Sequence, residues 1–341
     1  MKVVSFGEIL LRLMAPGYTK LFQKDSLESS FCGGEANVAV SLAILGLDSS
    51  FITKVPDSDV GHAALNSMRY FGVDTSNSVY GEGRMGLYYL EKGASQRPSK
   101  VIYDRAYSAI ALAKREDFDW NIILEGADWF HWTGINPALS VEMSLICEDA
   151  CKVAKSKGIT VSCDLNYRAK LWTSEQAQLK MKPLMKYVDV CICNEEDASN
   201  ALGIKMADVD VGRAELNEKS YVQTAKLINQ LYGCKYIATT LRKSFSASSN
   251  GWGAMLYDAL NQRAYLSKNY EVQIVDRVGS GDSFAAGLIY AMSQKFESQD
   301  IVEFATAASC LKHSIEGDYN RTTVSEVFNL LNSGGNGRVQ R

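Results

Sequence analysis

At 341 residues, with 46% hydrophobic and 22% charged content, the chain is long enough to bury a full core and too apolar to be disordered. A formal net charge of −3 excludes the basic excess that nucleic-acid binders carry. No window approaches the roughly 18 consecutive apolar residues of a spanning helix, and the run Met1 to Glu8 is too short for a secretory signal. The expectation is a cytoplasmic protein that works on small molecules, without nucleic-acid or membrane partners.

In chain order, a strand pattern at residues 1–7 is followed by an alternating stretch at 10–31, a helix pattern near 35–46, a strand at 49–54 and a helix near 60–71. A second alternating stretch spans 84–107, as in Gly86-Leu87-Tyr88-Tyr89-Leu90-Glu91 and Val101-Ile102-Tyr103-Asp104-Arg105. Beyond it, strands at 127–132, 159–165, 187–193 and 235–240 alternate with helices near 140–157, 221–232, 282–295 and 299–313. Strand–helix alternation predicts an α/β fold with a doubly wound, mainly parallel sheet flanked by helices. The two alternating stretches read as half-exposed strands that pair into a small β-sheet lid over the ligand-binding edge of the main sheet. The expected organisation is one discontinuous core of residues 1–9, 32–83 and 108–333, a lid of residues 10–31 and 84–107, and a flexible tail at 334–341.

Eight cysteines lie mostly inside apolar patterns without a CxxC pair, which reads as reduced core residues and not as zinc ligands or a disulfide framework. The three histidines, His62, His131 and His313, lack metal-ligand spacing or a nucleophile partner. The run Gly81-Glu82-Gly83-Arg84-Met85-Gly86 matches G-x-G-x-x-G, but it precedes a strand and opens no helix, so it fails as a dinucleotide site. A G-x-x-x-x-G-K-[ST] loop is absent as well.

Two glycine features carry chemistry. In Asp276-Arg277-Val278-Gly279-Ser280-Gly281-Asp282 the glycines let the backbone aim N–H groups at one point before an apolar helix. Asp282, in the first turn of that helix, is placed to take a proton from a hydroxyl that attacks a bound phosphoryl group, or to serve as an ordinary helix cap; the segment alone allows both. In Phe31-Cys32-Gly33-Gly34-Glu35-Ala36-Asn37, the paired glycines permit close backbone approach, and Asn37 offers a donor and an acceptor suited to sugar hydroxyls or to an internal bond.

Together with Gly7-Glu8 and Asn194-Glu195-Glu196-Asp197, these motifs follow the order of the ribokinase, or PfkB, family of carbohydrate kinases, which the chain resembles over nearly its whole length. Gly86-Leu87-Tyr88, Tyr103-Asp104-Arg105 and Asp164-Leu165-Asn166-Tyr167-Arg168 look most like members that phosphorylate 2-keto-3-deoxygluconate at its 6-hydroxyl. The resemblance implies a ribokinase-like fold, ATP and Mg²⁺ as cofactors, and Asp282 as catalytic base. It implies that the Gly279, Ser280 and Gly281 amides hold the transferring phosphoryl group. It also implies that Gly33, Gly34, Asn37, Tyr88, Tyr103, Arg105 and Arg168 face the sugar acid. Arginine's planar fork suits the carboxylate that distinguishes such an acid from a neutral sugar, which makes Arg105 and Arg168 the discriminating pair.

On the nucleotide side the resemblance points to Asn166, Asn194, Thr240, Arg242, Gly279, Gly281 and Lys312, with magnesium near Asn194 and Asp197. Asp197 stands where the family usually has Glu, and Arg242 replaces the glycine of a Thr-Leu-Gly turn. Residues Ser244 to Asn250 read as a lengthened loop, beside which either Arg242 or Lys243 contacts ATP phosphate or simply points into solvent; the sequence does not choose between them. Members of this family pair lid strands between subunits, so a homo-oligomer is expected. A fructokinase- or ribokinase-type sugar kinase, and a non-catalytic sugar-binding regulator, are the alternatives.

Overall fold

The computed structural model describes residues 1–205 and 218–333. The expected tail at 334–341 lies outside the described residues. Six parallel strands form the centre of the main sheet: β1 (Lys2–Phe6), β4 (Asp48–Ile52), β9 (Trp129–Thr133), β10 (Thr160–Asp164), β11 (Val190–Cys193) and β12 (Tyr236–Ser244). In space they run β4-β1-β9-β10-β11-β12, and β13 (Ser249–Asp258), β14 (Arg263–Leu266) and β15 (Tyr270–Gln273) add antiparallel strands beyond β12. The chain steps from β1 out to β4 and returns to β9 on the other side of β1. That reversal opens a crevice at the carboxyl ends of the strands.

Both faces of the sheet are covered, which explains why its strands read as nearly continuous apolar runs. Val4, Phe6, Cys191 and Cys193 face a core beneath α3 (Trp120–Ile123), α5 (Val141–Ser156), α6 (Ser174–Met185), α7 (Glu195–Leu202) and α8 (Glu218–Tyr232). Their alternate neighbours Val3, Val190 and Ile192 face a second core beneath α1 (Gly34–Ile44), α9 (Ser280–Ser293), α10 (Ser298–Lys312) and α11 (Val324–Ser333). α9 approaches α10 so closely that a methyl group on Gly287 would lie 2.9 Å from the Ala305 Cα. α2 (Asp59–Arg69) packs Ala64, Leu65 and Met68 against α1, and α4 (Asn136–Leu139) precedes α5. All eight cysteines are free thiols; seven are buried, and Cys310 is partly exposed.

The two alternating stretches form a separate four-stranded sheet in the order β3 (Glu28–Cys32), β2 (Leu10–Met14), β7 (Gly86–Glu91), β8 (Lys100–Asp104). β2 and β7 are parallel, whereas the outer pairs are antiparallel. Leu10, Met14, Cys32, Tyr88 and Leu90 cover the core side of this lid and pack towards Val278. Arg12 occupies the same inward row, between Leu10 and Met14, and is 1% exposed. A small pair, β5 (Lys54–Pro56) with β6 (Val79–Gly81), completes the strands among the described residues.

One expectation is corrected here. Ser244 to Asn250 do not form a lengthened loop, because β12 and β13 stay paired out to Ser244 opposite Asn250 and only a short turn separates them. Leu241, Asn250 and Trp252 are buried, whereas Arg242, Lys243 and Ser244 are exposed where the hairpin leaves the body of the sheet. Its tip meets the lid, where the Ala247 N–H donates to the Ser95 carbonyl at 2.8 Å and the Ser95 N–H to Ser248 Oγ at 2.9 Å.

Candidate active site

A cavity of ≈ 1700 Å³ opens at the carboxyl edge of the sheet beneath the lid. The Gly33-Gly34 turn, the Gly279 turn and residues of β7, β8, β10 and β12 all line it. Gly33 is required by close approach, since a Cβ there would lie 2.0 Å from the Glu8 carbonyl oxygen. Gly34 opens directly onto the site, its missing Cβ lying 3.8 Å from Asp282 Oδ1.

At the opposite wall, Gly279 has φ +83°, the left-handed region that glycine enters without penalty, and a Cβ would meet the Asp318 carbonyl at 2.1 Å. Asp276 shapes this turn by accepting from the Val278 N–H at 3.2 Å and, with its other oxygen, from the Gly317 N–H at 3.2 Å. The Ser280 N–H is spent on a 3.3 Å bond to the Arg277 carbonyl, while the N–H groups of Gly279, Gly281 and Asp282 have no acceptor among the described residues. These are the orphan donors of a helix start, and they favour a negative ligand.

Asp282 joins the two turns. Asn37 Nδ2 donates to its Oδ2 at 2.6 Å, and Asn37 Oδ1 accepts from the Gly33 N–H at 3.3 Å. Burial pushes the Asp282 carboxyl up to about 6; Asp318 adds to the rise, whereas the Asn37 amide, Arg168 and Lys312 oppose it. Asp282 therefore stays ionised near neutral pH yet is a stronger base than an exposed aspartate.

The other site residues take distinct positions. Tyr88 lines the cavity, but its hydroxyl donates to Asp318 Oδ2 at 2.7 Å. Tyr103 stands beside it, beneath the Arg105 guanidinium at 5.2 Å. Arg105 reaches the cavity wall with its charge committed: its Nε donates to Glu8 Oε2 at 2.7 Å, and Ser108 Oγ donates to the other Glu8 oxygen at 2.7 Å. Arg168 is exposed at the rim and forms no ion pair with the described residues, which leaves it open to an incoming carboxylate, as are Lys170 and Arg242 elsewhere on the lining. Asn166 lines the site with φ +41°.

Thr240 and Arg242 lie on β12 facing the cavity, whereas the Lys243 ammonium turns away onto the Phe245 ring at 5.7 Å. Asn194 caps α7, its Oδ1 accepting from the Glu196 and Asp197 N–H groups at 2.8 and 3.0 Å. Asp197 accepts from the Asn194 and Tyr167 N–H groups at 3.1 and 2.9 Å. Lys312 is a correction: it is fully buried, and its ammonium donates to the Asp276 and Ile315 carbonyls at 3.3 and 3.0 Å. Leaving that pocket to meet a nucleotide would strand both carbonyls, so it braces the turn from behind.

The sequence model of the pfkB family of carbohydrate kinases matches residues 1–230 and 240–323. The chain belongs to that family. Among solved structures, this carbohydrate kinase is similar to a 2-dehydro-3-deoxygluconokinase of Thermotoga maritima, with 52% identity, a TM-score of 0.93, and coverage of 97% of this chain and 99% of that one. A 2-dehydro-3-deoxygalactonokinase of Haloferax volcanii is 28% identical over 98% of this chain and 97% of its own length. A 2-dehydro-3-deoxygluconokinase of Bacillus subtilis is 26% identical over 92% of this chain and 90% of its own.

Several residues of the carbohydrate kinase's site escaped the sequence reading. Glu35 is buried; its Oε1 accepts from the Thr133 N–H at 3.1 Å and from Thr133 Oγ1 at 2.7 Å. Burial pushes its carboxyl up to about 7. Gly7 makes room for it, since a Cβ there would sit 2.2 Å from the Glu35 carboxyl carbon. Arg277 lines the cavity and donates to the Ala247 carbonyl at 3.2 Å, with Nε buried and unpartnered among the described residues. Both residues stand inside the quoted motifs, where their charge was the available signal. Asp164 is held well above the usual carboxylate range by burial and by the nearby charges of Asp197 and Asp282.

Proposed function

We propose that the protein transfers the γ-phosphoryl group of ATP to the 6-hydroxyl of 2-keto-3-deoxygluconate. The observation that carries this reading is Asp282, bonded to Asn37 of one glycine turn and seated beside the unpartnered amides of the other, inside one cavity. Asp282 accepts the proton as the sugar hydroxyl attacks, and the Gly279 and Gly281 amides offset the charge that spreads over the equatorial phosphoryl oxygens. Gly33 and Gly34 let the sugar approach the backbone, while Asn37, Tyr88 and Tyr103 hold its hydroxyls. Arg168 takes the carboxylate. Arg105 acts from within its Glu8 pair and contributes its remaining donors.

Asn166, Asn194, Thr240 and Arg242 form the nucleotide wall. Among the described residues no cluster of three metal-ligating side chains exists. The mutual repulsion of Asp164, Asp197 and Asp282 fits a cation brought in on the phosphates near Asn194 and Asp197. Mg²⁺ bound to ATP would supply charge neutralisation there. The lid excludes water, which would otherwise compete as acceptor. Strand β8 leaves Ile102 and Tyr103 exposed at the lid's edge, which supports assembly with a second copy. No described helix is long and apolar enough to cross a membrane, and a reaction fed by ATP suits the cytoplasm.

The test is an ADP-release assay across keto-deoxy sugar acids and neutral hexoses. Turnover of 2-keto-3-deoxygluconate well above that of fructose or ribose is expected, and Arg168→Ala should raise the KM for the acid about tenfold or more while sparing a neutral analogue. Equal or faster turnover of a neutral sugar would overturn the assignment. The Haloferax relative supports the galactonate-derived epimer as the second candidate in the same panel.

A further inference from the structure

Between the lid and the Gly279 turn lies a cluster of charged side chains that the reaction itself does not use. Arg12 on β2 donates from one Nη to Asp276 Oδ2 at 2.6 Å and forms an ion pair with Asp318 through the other. The three are 1%, 3% and 5% exposed respectively. Tyr88 on β7 stands directly opposite Arg12 in the parallel register, so both side chains leave the lid on the same face, and its hydroxyl holds the second Asp318 oxygen. Further along the lid, Lys92 pairs with Glu316, two residues before Asp318.

The carboxylates that Arg12 grips are the two that define the phosphoryl-binding turn. Asp276 holds the Val278 N–H, and the Asp318 backbone forms the wall that only glycine at position 279 clears. The lid is therefore fastened to the turn itself and not merely to the rim of the cavity.

Packing alone does not account for this arrangement. The inward row of β2 calls for an apolar residue at position 12, and burying a guanidinium with two carboxylates forfeits the solvation of all three ions. Well-packed apolar residues commonly stabilise such an interface as well or better. What the ions add is geometric: one planar fork fixes the separation of Asp276 and Asp318 only while β2 lies down.

We propose that Arg12 is a positioning residue that couples lid closure to assembly of the phosphoryl-binding turn. With the lid raised, Asp276 and Asp318 lose their common partner and repel each other, and the Gly279 amides lose their aim. Phosphoryl transfer then waits for the closed lid, which is how a kinase avoids spending ATP on water.

The inference rests on the kinase reading, and its test separates the two. Kinetics of Arg12→Gln are compared with those of wild type, with thermal melting as the check on folding. A fall in kcat of about tenfold or more, with the sugar KM changed less than about threefold, is expected, because the turn acts on the transition state and not on ground-state sugar binding. A kcat within about tenfold of wild type, or a loss carried mainly by KM, would overturn it. Should Arg12→Gln fail to fold, Asp318→Asn, which keeps the shape and removes one charge, decides by the same thresholds. Absence of wild-type turnover with every sugar acid would instead remove the kinase reading.

Discussion

Asp282 owes its chemistry to where it is buried. With its carboxyl raised to about 6, it is ionised at pH 7.5 and protonated below pH 6. The activity of wild type should therefore fall on the acid side with a limb near pH 6. Asp282→Asn should lower kcat by about 10²- to 10⁴-fold at all pH values. A kcat within tenfold of wild type would remove the base assignment. Glu35, raised to about 7, and Asp164, also raised, lie nearby, so Glu35→Gln and Asp164→Asn are the controls: a limb that persists in both belongs to Asp282. The stability sign is opposite to that of a salt-bridged carboxylate. A folded-state pKa above the unfolded value makes the ionised form a cost that sets in between about 4 and 6 as pH rises. Asp282→Asn should accordingly melt no lower than wild type at pH 7.5.

The two glycines of the same turn separate folding from catalysis. Gly279→Ala places a methyl group 2.1 Å from a carbonyl oxygen in a left-handed backbone, so a melting point lower by several degrees is expected. A Cβ at Gly281 meets nothing within 4 Å, so Gly281→Ala should melt like wild type. Because that methyl group enters the cavity where phosphate would sit, the variant should lose turnover. Equal melting points for the two variants would contradict the turn geometry.

At the scale of elements, the β12–β13 hairpin decides between two neighbouring cations. Alternation along β12 sends Arg242 to the cavity and Lys243 to the Phe245 ring. Arg242→Ala should raise the KM for ATP about three- to tenfold, and Lys243→Ala should leave it unchanged. The reverse result would mean that the strand's register differs at this point. This choice was not legible in the sequence, because Ser244 to Asn250 are polar enough to pass for a loop, and only pairing with β13 makes them a hairpin. The α7 helix was not among the expected helices, although Asn194 and Asp197 stand at capping-box spacing and carried the signal for it. Arg105 and Arg12 were opaque for the opposite reason: Glu8 lies 97 residues from one, and Asp276 and Asp318 lie 264 and 306 from the other. An ion pair formed by folding leaves no local periodicity. Arg12 even interrupts the alternation by which the lid strand was recognised.

For the whole molecule, the parallel sheet was easy to read because burial on both faces demands uninterrupted apolar strands at intervals long enough for a crossover helix. The lid was readable as alternation and the glycine turns as punctuation. The depth of each charged side chain was not, since residue type fixes charge but not desolvation; Lys312 was expected at the nucleotide and lies fully buried. The same enclosure governs the sulfur chemistry. Seven thiols are buried, and the partly exposed Cys310 is pushed up to about 12, so almost no thiolate is available at pH 8. A chromogenic disulfide reagent should stay nearly colourless with the native enzyme and report all eight sulfhydryls once guanidinium opens the chain. The kinase thus contains its own stopwatch for global opening, and colour released in native buffer would measure how often the core breathes.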